Sequence, residues 1–246
     1  MVTRAVAQGG VYEAALLLAG LDPRRLEERY RARELYRGAR IEAPAVVRLD
    51  GVGWGRRLQG YRWPRDHRVH RALVRAAMEL VAEYGADMGY VTSDEASILW
   101  LRGLPYGGRV EKLVSVSASA VSAGVSLHLG RRLFMDGRVV KLYGHGDVAD
   151  YILYRARVGF NNYVSSLYHG PRRGRAETPS LREMLEALRA RGLDPLREPW
   201  AALGTCIARL PSVKKISDGT VVERRRLVAM DTPLLCLDLL TPRARL

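Results

Sequence analysis

Cysteine is almost missing from this chain of 246 residues: Cys206 and Cys236 are all it has. Two thiols cannot build a disulfide framework, nor a metal site by themselves, so a small secreted scaffold is excluded. Lysine is nearly as scarce. Only Lys112, Lys141, Lys214 and Lys215 occur, and arginine supplies the other 36 of the 40 basic residues. No apolar run reaches the roughly 18–20 residues of a membrane span, and no charged-then-apolar stretch opens the sequence. The expectation is a cytoplasmic chain with no membrane partner. Repeats and low-complexity stretches are also lacking, which leaves out collagen and coiled coil.

What is present is ordinary for a globular core: 48% hydrophobic and 27% charged residues. At roughly 150 residues per domain, the length suits one domain or two small ones. The charge is less ordinary. Forty basic residues against 26 acidic ones leave +14, and a polyanion is the natural partner of such an excess. Arginine forks match phosphate oxygens two at a time. A GC-rich or heat-adapted genome would explain arginine over lysine equally well, but not the net charge. RNA or DNA is favoured over a merely basic enzyme.

Along the chain, Val11–Leu18 and Leu26–Tyr36 read as short helices, the second strongly charged. Ala45–Leu49 is a short apolar run that ends at Asp50-Gly51 and reads as a buried strand. A Gly-rich loop follows, Gly51-Val52-Gly53-Trp54-Gly55. Asp66–Tyr84 has helical apolar spacing, with Asp66 as N-cap and Gly85 as stop. Met88–Thr92 and Ala96–Leu101 read as strands joined by a tight hairpin at Ser93-Asp94-Glu95. Leu113–Leu129 is long enough for a helix despite its Ser and Val content. Val139–Tyr143 reads as a fourth strand. The order β-α-β-β-α-β predicts an α+β fold: a four-stranded antiparallel sheet with two helices on one face. Further on, Asp147–Tyr168 and Leu181–Arg191 read as helices around a basic loop with Arg172, Arg173 and Arg175. The chain from Gly204 reads as β-rich. A division into a core at 1–144 and an extension at 145–246 is expected.

The chemistry gathers at one end of that sheet. Asp50 closes strand one, and Asp94 and Glu95 sit in the hairpin between strands two and three. Strands one and three are the central pair of this topology, so the acidic residues converge. Two bare carboxylates that close repel by roughly 4 kcal/mol at an effective dielectric near 20. They call for a cation, a shared proton or an arginine. Oxygen-only ligands favour Mg²⁺, which takes nucleotide phosphates as further ligands; two such ions can serve a phosphoryl transfer. Gly51 allows close backbone approach and offers its carbonyl. Taken singly, a strand ending in Asp-Gly and an Asp in a hairpin are ordinary turn chemistry. Together, on a basic chain, they favour a metal-dependent nucleotide site.

These residues also carry a resemblance. Val46-Val47-Arg48-Leu49-Asp50-Gly51, Trp63-Pro64-Arg65-Asp66 and Ser93-Asp94-Glu95 resemble the tRNA(His) guanylyltransferase family and its tRNA 5′-end-repair relatives, the reverse (3′–5′) polymerases. Supporting matches are Arg109-x-x-Lys112, Asp136-Gly137-Arg138-Val139-Val140, Tyr154-Arg155 with Asn162, Gly204-Thr205, and the tail Arg224–Asp238, which resembles the family's C-terminal strands. The resemblance runs from about Ala45 to the end. It implies a polymerase-like palm, two Mg²⁺ ions, GTP or another nucleoside triphosphate, a tRNA 5′ end, and a homo-oligomer, a tetramer in the family.

Position by position, the resemblance makes Asp50, Gly51 through its carbonyl, and Asp94 the metal ligands. Asp50, Gly51, Val52, Gly53, Trp54 and Gly55, with Ser93 and Asp94, become the nucleotide cradle. Glu95 becomes a catalytic acidic neighbour, or on the plainer reading a hairpin stabiliser. Arg109, Lys112, Arg155 and Asn162 fall on triphosphate- or tRNA-binding positions. Cations at the helix start at Arg109 and Lys112 oppose the helix dipole, which mildly favours a ligand there. The sequence departs from the family pattern at Gly55, where the family has His, and at Trp63, where it has Lys. It departs again at Phe160–Tyr163, which keeps Asn162 but no His, and at Ala202-Leu203, where the family has Arg-Lys. Two other classes share the element order. One is an RNA-binding module without catalysis, which would stack bases on the sheet, where only Trp100 is available. The other is a further palm enzyme, a nucleotide cyclase or a 5′–3′ polymerase.

Overall fold

Hydrophobic residues at two periods build this fold, one for strands and one for the helices that cover them. The structure is a computed structural model that describes residues 10–171, 178–215 and 221–240. The loop arginines 172, 173 and 175 lie outside the described residues. Two units separate at Gly38. The first holds α1 (Val11–Ala19) and α2 (Pro23–Arg31). No residue of α1 is buried. α2 starts earlier than its apolar pattern suggests, because Asp22 caps it from the side chain and Pro23 takes the first turn, where a missing N–H costs nothing.

The second unit carries a six-stranded sheet in the order β4-β1-β3-β2-β5-β6. Its strands are β1 (Ala45–Gly51), β2 (Met88–Thr92), β3 (Glu95–Trp100), β4 (Met135–Lys141), β5 (Thr205–Lys215) and β6 (Val221–Met230). All pairings are antiparallel. β1 and β3 are neighbours, the middle pair of the four strands that the element order predicts. The sheet itself is larger than the four strands expected, because β5 adds to the free edge of β2 and brings β6 with it.

The helices are α3 (Trp54–Arg57), α4 (His67–Glu83), α5 (Val110–Leu129), α6 (His145–His169), α7 (Leu181–Ala190), α8 (Pro199–Leu203) and α9 (Leu234–Leu240). α4 and α5 cover one face of the sheet, packing Leu73, Leu80, Leu113 and Val121 on Val47, Leu49 and Ile98. The opposite face is not open. There α6 and α9 pack Val148, Ile152 and Leu240 on Val46, Tyr90 and Leu99. By length and composition α5 passes as a membrane span, which the sequence reading missed because Ser and His interrupt its apolar residues. Its Leu113, Val121 and Val125 are nevertheless fully buried within the sheet-side core.

Three elements differ from expectation. The fourth strand begins at Met135 rather than Val139; as an edge strand it has few buried side chains to mark its start. The tail is not all strand, since Leu234–Leu240 is helical. Its two buried residues, Cys236 and Leu240, are four apart and so share one helical face. The two cysteines, too few for a framework, do form one bridge: Cys206 on β5 is disulfide-bonded to Cys236 on α9, with Cα atoms 5.8 Å apart.

Candidate nucleotide site

β1 ends beside the β2–β3 turn. The Gly51 amide donates to the Asp94 carbonyl at 3.0 Å, and the Val52 amide donates to the Phe134 carbonyl at 2.9 Å. Ser93, at the turn, adopts φ 58°, a left-handed conformation uncommon for a residue with a Cβ. In register, Asp50 stands opposite Glu95 on one side and Asp136 on the other. Directly opposed residues share a face of the sheet, so three carboxylates line up across β4, β1 and β3. They lie on the α6 side, because Arg48 and Asp50 alternate with the core residues Val47 and Leu49.

The carboxylates are held differently. Asp50 accepts from Arg48 Nη2 at 2.7 Å, and Glu95 accepts from Arg48 Nε at 2.7 Å. Glu95 also accepts from Arg155 Nε and Nη2, at 2.7 and 2.5 Å. Burial acts to lower the Arg48 pKa, and its two carboxylate partners more than reverse this. Asp94 has no arginine bond among the described residues. Burial pushes its carboxyl above the usual carboxylate range and the Asp50 charge pushes the same way, against the Ser93 hydroxyl and Arg65. Asp50 and Asp94 are therefore close enough to feel each other, as the topology predicts.

Asp94 lines a cavity of about 390 Å³ walled by Trp54, Trp63, Arg65, Ser93 and Trp200. The Trp54 indole N–H donates to the Phe134 carbonyl at 2.9 Å, which fixes the Gly-rich loop against β4. Gly51 could not be another residue without moving that ring, since a Cβ there would meet Trp54 atoms at 2.7 Å. Arg65 is a half-buried cation with no carboxylate hydrogen bond among the described residues. It donates to the carbonyls of Ala201 and Gly159, and burial lowers its pKa to about 10. A larger cavity, about 890 Å³, lies along α4 and includes Arg71, Arg75 and His128 but none of the candidate carboxylates. Ser93 and Asp94 line the smaller one.

The other sequence-predicted residues divide. Arg155 and Asn162 are both on α6, two turns apart; Arg155 is buried on Glu95 and Asn162 is exposed. Arg109 and Lys112 make no hydrogen bond or ion pair to these carboxylates among the described residues. Arg109 caps α5 and bridges Arg40 beyond the Trp100 end of β3, the end away from Asp94. Trp100 is buried and donates to the Tyr84 carbonyl, so it offers no open ring for a base. Arg48, Arg65, Asp136 and Trp200 were not predicted as site residues. Arg48 and Asp136 have a signal: one lies two residues before Asp50, and the other belongs to the Asp-Gly-Arg run.

Whether these groups suit a divalent ion is a question of donor chemistry. Among the described residues no three His, Cys, Asp or Glu side chains gather closely enough to cage a metal. A pair of carboxylates, one of them raised by the other's charge, with a backbone carbonyl at Gly51, is what Mg²⁺ uses when phosphates supply the remaining ligands. The residues fit a nucleotide-borne Mg²⁺ and not a closed structural site.

Comparison with known proteins bears on the family and the fold. A family model described as tRNAHis guanylyltransferase matches residues 27–148. A bacterial tRNA(His) guanylyltransferase-like protein solved with GTP has TM-score 0.70 and 23% identity, covering 87% of this chain and 94% of its own. The same kind of protein solved with ATP gives 0.70 and 23%, with 89% and 96% covered. The tRNA(His) guanylyltransferase of Saccharomyces cerevisiae gives 0.56 and 18%, with 67% and 84% covered. These solved structures share the fold. A curated relative, an uncharacterized protein of Acanthamoeba polyphaga mimivirus, is 29% identical over 94 residues. That match covers 33% of this chain and about a third of the relative's length. Residues 27–148, which hold β1, the Gly-rich loop and the β2–β3 turn, match the tRNAHis guanylyltransferase family.

Proposed function

We propose that the chain is a Mg²⁺-dependent nucleotidyltransferase that adds nucleotides to the 5′ end of tRNA, in the 3′–5′ direction. The observation that carries the reading is the convergence of Asp50 and Asp94 beside a cavity walled by Trp54, Trp63 and Trp200. The family match over residues 27–148 supports the substrate class. Asp50, Asp94 and the Gly51 carbonyl are the groups that would hold Mg²⁺. When bound, such ions neutralise triphosphate charge and favour the in-line attack of a hydroxyl on phosphorus.

The chain's own contribution is positioning. Gly53 turns the backbone at φ 65° into α3, and the exposed Arg56 and Arg57 follow the loop as cations for phosphate. Trp54, pinned to the Phe134 carbonyl, keeps the loop from drifting. Holding the incoming nucleotide's 3′-hydroxyl in line with an activated 5′ phosphate removes most of the entropic barrier. Arg109 and Lys112 would meet the same nucleotide only through a second copy, so the reading includes a homo-oligomer, a tetramer as in the family, working in the cytoplasm where tRNA is.

The test is direct. Incubated with 5′-truncated tRNA, Mg²⁺ and labelled GTP, the protein lengthens the RNA at its 5′ end. Extension at the 3′ end, a cyclic nucleotide product, or RNA binding with neither would sink the reading.

A further inference from the structure

Metal and nucleotide binding leave one arrangement unexplained: two arginines and a second carboxylate packed behind Asp50. Glu95 is 5% exposed and Arg155 7%. Neither lines the cavity that holds Asp94. Arg155 grips both oxygens of Glu95, and Arg48 spans from Glu95 Oε2 to Asp50 Oδ2. The four side chains form one line, Asp50–Arg48–Glu95–Arg155, alternating in sign and neutral in sum. Each interior member is bonded on both sides. Such a buried pair persists only while every partner is present, because removing one leaves a charge uncompensated.

We propose that Glu95 is a positioning residue that acts through Arg48 on Asp50, with Arg155 as its anchor on α6. It takes neither metal nor substrate. The inference rests on the reading of Asp50 as a ligand of a divalent cation. Arg48 has one positive charge to divide between two carboxylates. Glu95 draws off part of it through Nε, so that Asp50 keeps one oxygen fixed by Arg48, while Oδ1 has no hydrogen-bond partner among the described residues. Without the Glu95 charge, Arg48 turns wholly to Asp50 and competes with the cation there. Without Arg48, Asp50 loses its competitor but also its orientation. The two deletions therefore move cation affinity in opposite directions. A residue that only propped the fold would weaken binding in both cases.

Mn²⁺ serves as the probe, titrated calorimetrically into the purified full chain, with melting curves to check folding. Glu95→Gln is expected to weaken Mn²⁺ binding about tenfold. Arg48→Gln leaves it equal or tighter while lowering kcat, and Glu95→Gln adds nothing in the Arg48→Gln background. If Glu95→Gln does not fold, Arg48→Gln carries the test alone, and weaker Mn²⁺ binding there overturns the inference. Wild-type binding with equal weakening in both variants overturns it as well. A wild-type chain that binds no Mn²⁺ overturns the metal reading, and this inference with it.

Discussion

The amide of Gly51 donates to the carbonyl oxygen of Asp94 over 3.0 Å, one residue ending β1 and the other turning the β2–β3 hairpin. That backbone tie, outside the regular ladder, places the Asp94 carboxyl within reach of the Asp50 charge. Asp94→Asn removes a ligand oxygen's charge and keeps the shape. It is expected to cut 5′ addition by ~1000-fold or more. Melting temperature should not fall at neutral pH, because the carboxyl it replaces is buried and raised by a like charge. Single-turnover extension and a melting curve check both halves; a folded variant with wild-type extension removes Asp94 from the site.

Gly51 carries a second constraint, from the ring of Trp54. Gly51→Ala places a methyl 2.7–2.8 Å from three ring atoms, so Trp54 must shift and its bond to Phe134 must stretch. Overpacking of this kind costs about 1–3 kcal/mol, which is a few degrees to ~10 °C in Tm for a chain of this size. Scanning fluorimetry reads the shift. Gly55→Ala meets nothing within 4 Å, and its Tm should stay within a degree or two of wild type.

The Cys206–Cys236 bridge joins β5 to α9 across 30 residues. Closing a loop of that length in the unfolded chain is worth roughly 3–4 kcal/mol. Both cysteines are fully buried, so reductant should act only once the protein opens. The expected result is a urea midpoint that drops in reductant for wild type and is already low, and indifferent to reductant, in the Cys206→Ala/Cys236→Ala double variant. Equal midpoints with and without reductant in wild type would show that the bridge adds no stability.

Much of this was legible in the sequence, and the reasons are local. α4 declared itself through Asp66, whose side chain accepts from the Arg68 amide as an N-cap should. β1, β2 and β3 were apolar runs bounded by turn residues, although Glu95, read as part of the hairpin, is the first residue of β3 and pairs with Thr92. Convergence of Asp50 and Asp94 came from topology alone. The partners of those carboxylates did not. Arg155 is far from Glu95 in sequence, and nothing in Tyr154-Arg155 says that its guanidinium turns inward. Arg65 was hidden for the same reason, since its partners are carbonyls of α6 and α8. Nor does a composition of two cysteines say that β5 and α9 bring them together. Pairings across long sequence separation depend on packing, which hydrophobic period alone does not encode.

His70 gives the pH dependence. Its Nε2 lies 2.7 Å from the Thr205 hydroxyl, which donates to Asp231 at 2.7 Å. Since Thr205 gives its one proton to Asp231, His70 Nε2–H is the donor in that contact. Burial lowers its pKa from 6.5 to about 4. The unfolded chain therefore takes up a proton below pH 6.5 that the folded chain refuses until about pH 4. Stability is full above the unfolded value and falls as pH drops through that window, by up to roughly 3 kcal/mol. Asp66, held below the usual carboxylate range chiefly by Arg68, adds its loss only at lower pH. Melting curves between pH 7 and 4 should fall by ~10 °C in wild type from this group alone. His70→Gln keeps a donor toward Thr205 without a titrating ring, and its Tm should be lower at pH 7 but flatter down to pH 4. A variant whose Tm falls in parallel with wild type would place the titration elsewhere.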